Sequence, residues 1–156
     1  MKPFIWLRSL AVVLVLFAVG HTLGTASPQP KRGPIEAAVF DSMKRFQFPI
    51  MGFERSHWDF YRGFAVTITI LLVALALLAW QTASVSREHP RQARPLALTL
   101  LLTCVGLTVG SWSFFFAAPI VMSCMAVAIA AVAVIAVWRD TRAAGRALTY
   151  AAASSN

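Results

Sequence analysis

The chain has 156 residues, of which 58% are hydrophobic and 13% charged, and a formal net charge of +8. A soluble domain carries about 25% charged residues, so this composition, with a mean hydropathy of +0.69, excludes an ordinary soluble globule and points to a bilayer. The fourteen Lys and Arg stand in short clusters beside apolar runs, as headgroup anchors do; they form no phosphate-neutralising face, which excludes nucleic acid as a partner.

The first apolar segment, "SLAVVLVLFAVGHTLGTA", runs from Ser9 to Ala26 and is close to the roughly 20 residues that a spanning helix needs. Its basic start and short apolar core, with Gly24 and Ala26 at the minus-three and minus-one positions, also fit a cleavable signal peptide. His21 interrupts the end of that core, and Gly20 with Gly24 forms a GxxxG pair that lets another helix approach. These two features favour a retained helix over about 9–26.

The loop that follows opens with "SPQPKRGP", three prolines in eight residues, which breaks the helix. From Pro34 to Phe48, Ile35, Val39, Met43 and Phe46 recur at helical spacing, predicting a short amphipathic helix over 34–48 that lies on the outer membrane surface or roofs the bundle. Pro49 disfavours helical geometry at Phe48, and Gly52 permits a turn.

The second segment, Gly63 to Thr82, is preceded by "RSHWDFYRGF". Ser56 and Asp59 have the spacing of a helix amino-terminal capping box, with the carboxylate favoured by the positive helix end, so the helix is drawn back to about 58–82. Trp58 and Tyr61 suit the interface, while Arg62 has Asp59 within i, i+3 reach or snorkels to headgroups. The third and fourth segments, about 96–117 and 119–138, meet at "FFFAAPI", where Pro119 suits the first turn of a new helix. Residues 139–156 form a tail. Gly106 and Gly110 repeat the small-xxx-small spacing on the third segment. The segments lack the alternation of barrel strands, and lipid leaves no partner for open backbone groups. The reading is therefore an all-α, polytopic membrane protein, a four-transmembrane-helix bundle forming a single domain over 1–156.

Positive residues set the orientation. Lys2 and Arg8, then Arg87, Arg91 and Arg94, then Arg139, Arg142 and Arg146 fall on one side. The third loop has none, and the six in the first loop are offset by Glu36, Asp41, Glu54 and Asp59, so both termini are expected to be cytoplasmic. Trp6, Trp80 and Trp138 then fall at the inner boundary and Trp58 and Trp112 at the outer one, as interfacial indoles should.

His21, Thr22 and Asp59, with Arg55 or His57, fall at a similar depth, as do Ser111, Ser113 and Ser123. Ionisable groups at membrane depth mark wet cavities and sites. The candidate ligand-binding residues are His21, Asp59, Arg55, Tyr61, Trp58 and Ser111, set against a plain His21–Asp59 hydrogen bond tying two helices together. The helix-packing candidates are Gly20, Gly24, Gly106 and Gly110. His21, His57 and His89 lack metal-ligand spacing, so neither metal nor haem is expected, although His21 and His57 stand near one face. Cys104 and Cys124 differ in depth by about 12 Å at 1.5 Å per residue, too far for a disulfide.

"GHTLGT" ending the first helix and "MGFERSHWDFYRGF" entering the second resemble a group of small bacterial four-helix membrane proteins. That resemblance implies a bacterial inner-membrane location and a characteristic cluster of His21, Gly24, Arg55, Trp58, Asp59, Tyr61 and Gly63; it implies no reaction. The plan is also similar to that of four-helix sterol-isomerase-like proteins, but these helices carry almost no carboxylates. No complete catalytic set is present. The expected function is a non-catalytic accessory subunit of a larger membrane complex, with membrane lipids and other integral subunits as partners. The alternative is a binder or enzyme for a lipid-like or quinone-like ligand at an outer-leaflet pocket containing His21 and Asp59. A transporter is third, since no polar chain crosses the bilayer.

Overall fold

A computed structural model describes residues 2–26 and 32–154. The protein is all-α with a minor two-stranded sheet, in the order α1 (Pro3–Thr25), α2 (Pro34–Arg45), β1 (Gln47–Ile50), β2 (Phe53–Ser56), α3 (His57–Glu88), α4 (Pro90–Phe114) and α5 (Ala117–Ser154). Four helices, α1, α3, α4 and α5, are long and apolar enough to cross a membrane. Large apolar side chains such as Leu16, Ile70, Leu102 and Val121 lie exposed along them, far more than a monomeric soluble protein leaves uncovered.

The elements differ from the expected segments at their ends. Helix α1 starts six residues earlier than the apolar run, because Phe4, Ile5, Trp6 and Leu7 contain nothing that stops a helix. Helix α2 starts with Pro34 in its first turn, carries Glu36 near its start and Lys44 and Arg45 near its end, as the helix dipole favours, and stops at Phe46. It does not reach Phe48. Residues 47–56 instead form an antiparallel hairpin, with Gln47 opposite Ser56 and Ile50 opposite Phe53. Met51 and Gly52 make its two-residue turn with φ of 48° and 86°, the paired positive values that match strand twist. Pro49 is tolerated because each strand of a two-stranded sheet is an edge.

Helix α3 begins at His57 and continues to Glu88, about 48 Å at 1.5 Å per residue, which exceeds a hydrocarbon core of about 30 Å. The break after α4 falls at Phe115–Phe116, ahead of the expected position near residue 118; Phe115 is extended and its amide donates to the Ser111 carbonyl. Helix α5 runs through most of the expected tail, to Ser154.

Backbone contacts divide the chain into two compact units, Met1–Phe17 with Val73–Asn156, and Ala18–Leu72. In the first unit, α4 and α5 form the most extensive helix pairing. Buried Ala93, Ala97, Leu100 and Cys104 recur at four, three and four residues on α4, and Ala126, Ala130, Ala133 and Val137 do so on α5. Each series is one stripe of a helix, and its small side chains let two backbones approach closely. Leu7, Leu10 and Leu14 of α1 and Ala76, Ala79 and Ala83 of α3 are buried in the same unit. Cys104 is buried and Cys124 exposed, both as free thiols. The second unit holds α2, the hairpin, the end of α1 and the start of α3.

Candidate functional site

Ser56 ends β2 and caps α3. Its hydroxyl accepts from the Asp59 amide at 3.2 Å, while Asp59 Oδ2 accepts from the Ser56 amide at 2.8 Å and from the Ser56 hydroxyl at 2.9 Å. This reciprocal arrangement satisfies donors that the first turn of any helix leaves open. One oxygen of Asp59 is thereby committed to its own helix. Arg62, one turn on, does not pair with Asp59; its Nη1 donates to the Ala26 carbonyl at 2.6 Å, placing a cation at the carboxyl end of α1, where the dipole favours it.

His21 lies on the penultimate turn of α1, and its Nε2 stands 3.1 Å from the carbonyl oxygen of Ala65 on α3. The neighbouring Thr22 hydroxyl, with Ala18 O also in reach, donates across to the Thr69 hydroxyl at 3.1 Å, and Thr69 donates to Ala65 O in turn. The direct His21–Asp59 hydrogen bond expected as a helix tie is not made. Two different contacts, His21 with Ala65 and Thr22 with Thr69, about two and three turns farther along α3, do that job. Asp59 is withdrawn from His21 because its nearest donors belong to the adjacent cap, three residues away in sequence.

The remaining cluster residues are aromatic or stack on aromatics. Trp58 packs on Tyr61 at 5.4 Å between ring centroids and on Phe40 of α2 at 5.6 Å, with Lys44 Nζ 4.9 Å over its ring. Arg55 donates to the Glu54 carbonyl and lies over Phe53. Phe48 of β1 contacts His57 at 5.0 Å and Phe60 at 6.0 Å, so the hairpin is held against α3 by rings. A free hairpin has no such support and is marginal in water. Ser111 belongs to the other compact unit, where it is buried.

An open groove of about 420 Å³ lies in the second unit, lined by Ile35, Val39, Met43 and Phe46, with Ser42 and His57 as its polar groups. It contains neither His21 nor Asp59. The residues that sequence reasoning missed are Ala65, which contributes only a backbone oxygen, and Phe40, Phe46 and Phe48. The alternation of Phe46 and Phe48 about Gln47 was the available signal for the strand.

Among the described residues, this geometry assembles no acid–base or nucleophilic set. The Asp59 carboxylate serves a cap, His21 binds a main-chain oxygen, and Arg62 neutralises a helix end. Among the described residues, no three His, Cys, Asp or Glu are grouped as a metal would require. Comparison of the chain with models of protein families, with curated proteins and with solved structures finds no match.

Proposed function

We propose that the protein is a non-catalytic accessory subunit of a larger integral complex in a bacterial inner membrane, with both termini in the cytoplasm. The observation that supports this most is the use of the polar cluster. His21, Asp59 and Arg62 hold the ends of α1 and α3 through main-chain and capping contacts. They rigidify a scaffold. The glycines agree: a Cβ built at Gly20, Gly24, Gly106 or Gly110 meets no described atom within 4 Å, so the small-xxx-small faces are open to a helix of another chain. In this reading α2 lies along the outer membrane surface, its exposed Ile35 and Val39 toward lipid. The cluster would then be the shared mark of the bacterial four-helix group that the sequence resembles.

Mild-detergent extraction from native membranes followed by native-mass analysis tests this. The expected result is co-purification with other integral chains in a fixed ratio, reduced by Gly24→Val while the isolated protein keeps its helix content and stability. A lone chain carrying a small apolar molecule would overturn it. That outcome belongs to the second reading, a binder of a lipid-like or quinone-like ligand. The apolar lining of the open groove beside His57 favours it, although that groove holds neither His21 nor Asp59, where the sequence places the pocket.

A further inference from the structure

We propose that Arg8 and Arg87 form a binding site for the phosphate of a net-anionic glycerophospholipid at the cytoplasmic interface. The proposal rests on the membrane reading above and concerns residues of the first compact unit alone. Arg8 is a lone cation in the sequence "PFIWLRSLAVV", two turns into an apolar helix. Such a residue normally pairs with a counter-charge or a polar cavity. Its guanidinium carbon lies 4.7 Å over the ring of Trp80 and 5.8 Å over that of Phe4, and the Arg87 guanidinium lies 5.2 Å over the same Phe4 ring. Two positive groups therefore share one phenyl ring. No carboxylate joins them: neither Arg8 nor Arg87 forms an ion pair, with Glu88 or with any other described carboxylate. Arg8 Nε is in addition buried with no hydrogen-bond partner, an unsatisfied donor of the kind that costs free energy.

The chemistry selects the ligand. Aromatic faces satisfy the flat sides of a guanidinium and hold it in one orientation, leaving its N–H edge to donate in plane. Planar N–H edges match phosphate oxygens in number and geometry. Trp80 is the indole expected at the inner boundary, so the phosphate offered at that depth is a headgroup phosphate. Two guanidiniums repel an ammonium, so a headgroup with an uncompensated phosphate is preferred over a zwitterionic one.

The test uses the full chain, purified and then reconstituted in vesicles of zwitterionic phosphatidylcholine with a minority of phosphatidylglycerol. Flotation of the protein with the vesicles is scored first; failure to float overturns the membrane reading itself. For protein that floats, native-mass analysis after re-extraction counts retained lipid. Retention of phosphatidylglycerol in preference to phosphatidylcholine is expected, falling about tenfold in Arg8→Gln and in Arg87→Gln and remaining unchanged in Arg142→Gln. Helix content and monodispersity are checked for each variant, and Arg8→Lys, which keeps the charge but loses the planar fork, should retain an intermediate amount. Equal retention of both lipids, or equal loss from the Arg142 variant, would sink the site. Full displacement of the lipid by inorganic phosphate would reassign it to a soluble phosphate and overturn the lipid as its ligand.

Discussion

The Nε2 atom of His21 stands 3.1 Å from the carbonyl oxygen of Ala65, joining the end of α1 to the first part of α3 through a backbone oxygen that is already part of a helix. A side-chain donor reaching such an oxygen ties two helices without requiring any particular residue opposite. Position 65 therefore shows no polar partner in the sequence, only a small side chain that leaves the oxygen accessible.

Replacing His21 by Ala should destabilise the protein by about 1 kcal/mol, the usual worth of an interhelical hydrogen bond in a membrane setting. Reversible unfolding in mixed micelles measures it. Thr69→Val should add to the loss less than independently, because Thr69 donates to the same carbonyl. Strict additivity would mean that the three groups do not form a network.

Ser56→Ala and Asp59→Ala each remove the cap of α3, at a cost of about 1 kcal/mol apiece. The two hydrogen-bond each other as well as the backbone, so the double variant should cost clearly less than the two single losses together. Amide exchange offers an independent readout. The amide of Asp59, which donates to the Ser56 hydroxyl, should lose protection in Ser56→Ala while amides in the middle of α3 stay protected.

The turn at Met51 and Gly52 makes opposite predictions for its two positions. Gly52→Ala should destabilise the hairpin by about 1 kcal/mol, because its φ is 86° and the penalty is conformational, with nothing within 4 Å to clash. Met51→Asn should stabilise it by a few tenths of a kcal/mol or more, since asparagine tolerates the left-handed region that methionine occupies here at φ 48°. Thermal melts of the two variants should move in opposite directions; movement in the same direction would falsify the turn geometry.

Along the α4–α5 seam, Ala97→Leu and Ala130→Leu should each cost about 1–3 kcal/mol by overpacking, since both alanines are 1% exposed. Ala143→Leu, on an exposed position of the same helix, should cost nothing measurable. Unfolding of the variants in detergent compares them directly, and equal tolerance at all three positions would mean that the helices are not in close backbone contact.

Much of the fold was legible because its signals are local. A spanning helix announces itself as one uninterrupted apolar run, and Ser56 with Asp59 announces a cap because both partners lie within four residues. The hairpin was not legible. Phe48 sits beside Pro49, a residue usually read as a strand breaker, and the pairing of Gln47 with Ser56 becomes visible only when two short strands meet. The end of α2 moved for the same reason: Phe46 and Phe48 keep helical company in sequence, yet their rings gain more by packing on His57 and Phe60.

The cluster around His21 divides along the same line. Sequence alone determined that His21, Asp59 and Arg62 stand near helix ends, because hydropathy places those ends and each charge is a local departure from it. Only the tertiary structure decided their partners: the Ala65 and Ala26 carbonyls for His21 and Arg62, and the neighbouring serine for Asp59. Every residue carries a carbonyl, so no pattern of residue types marks the one that a distant side chain will reach. That choice is made when the helices pack.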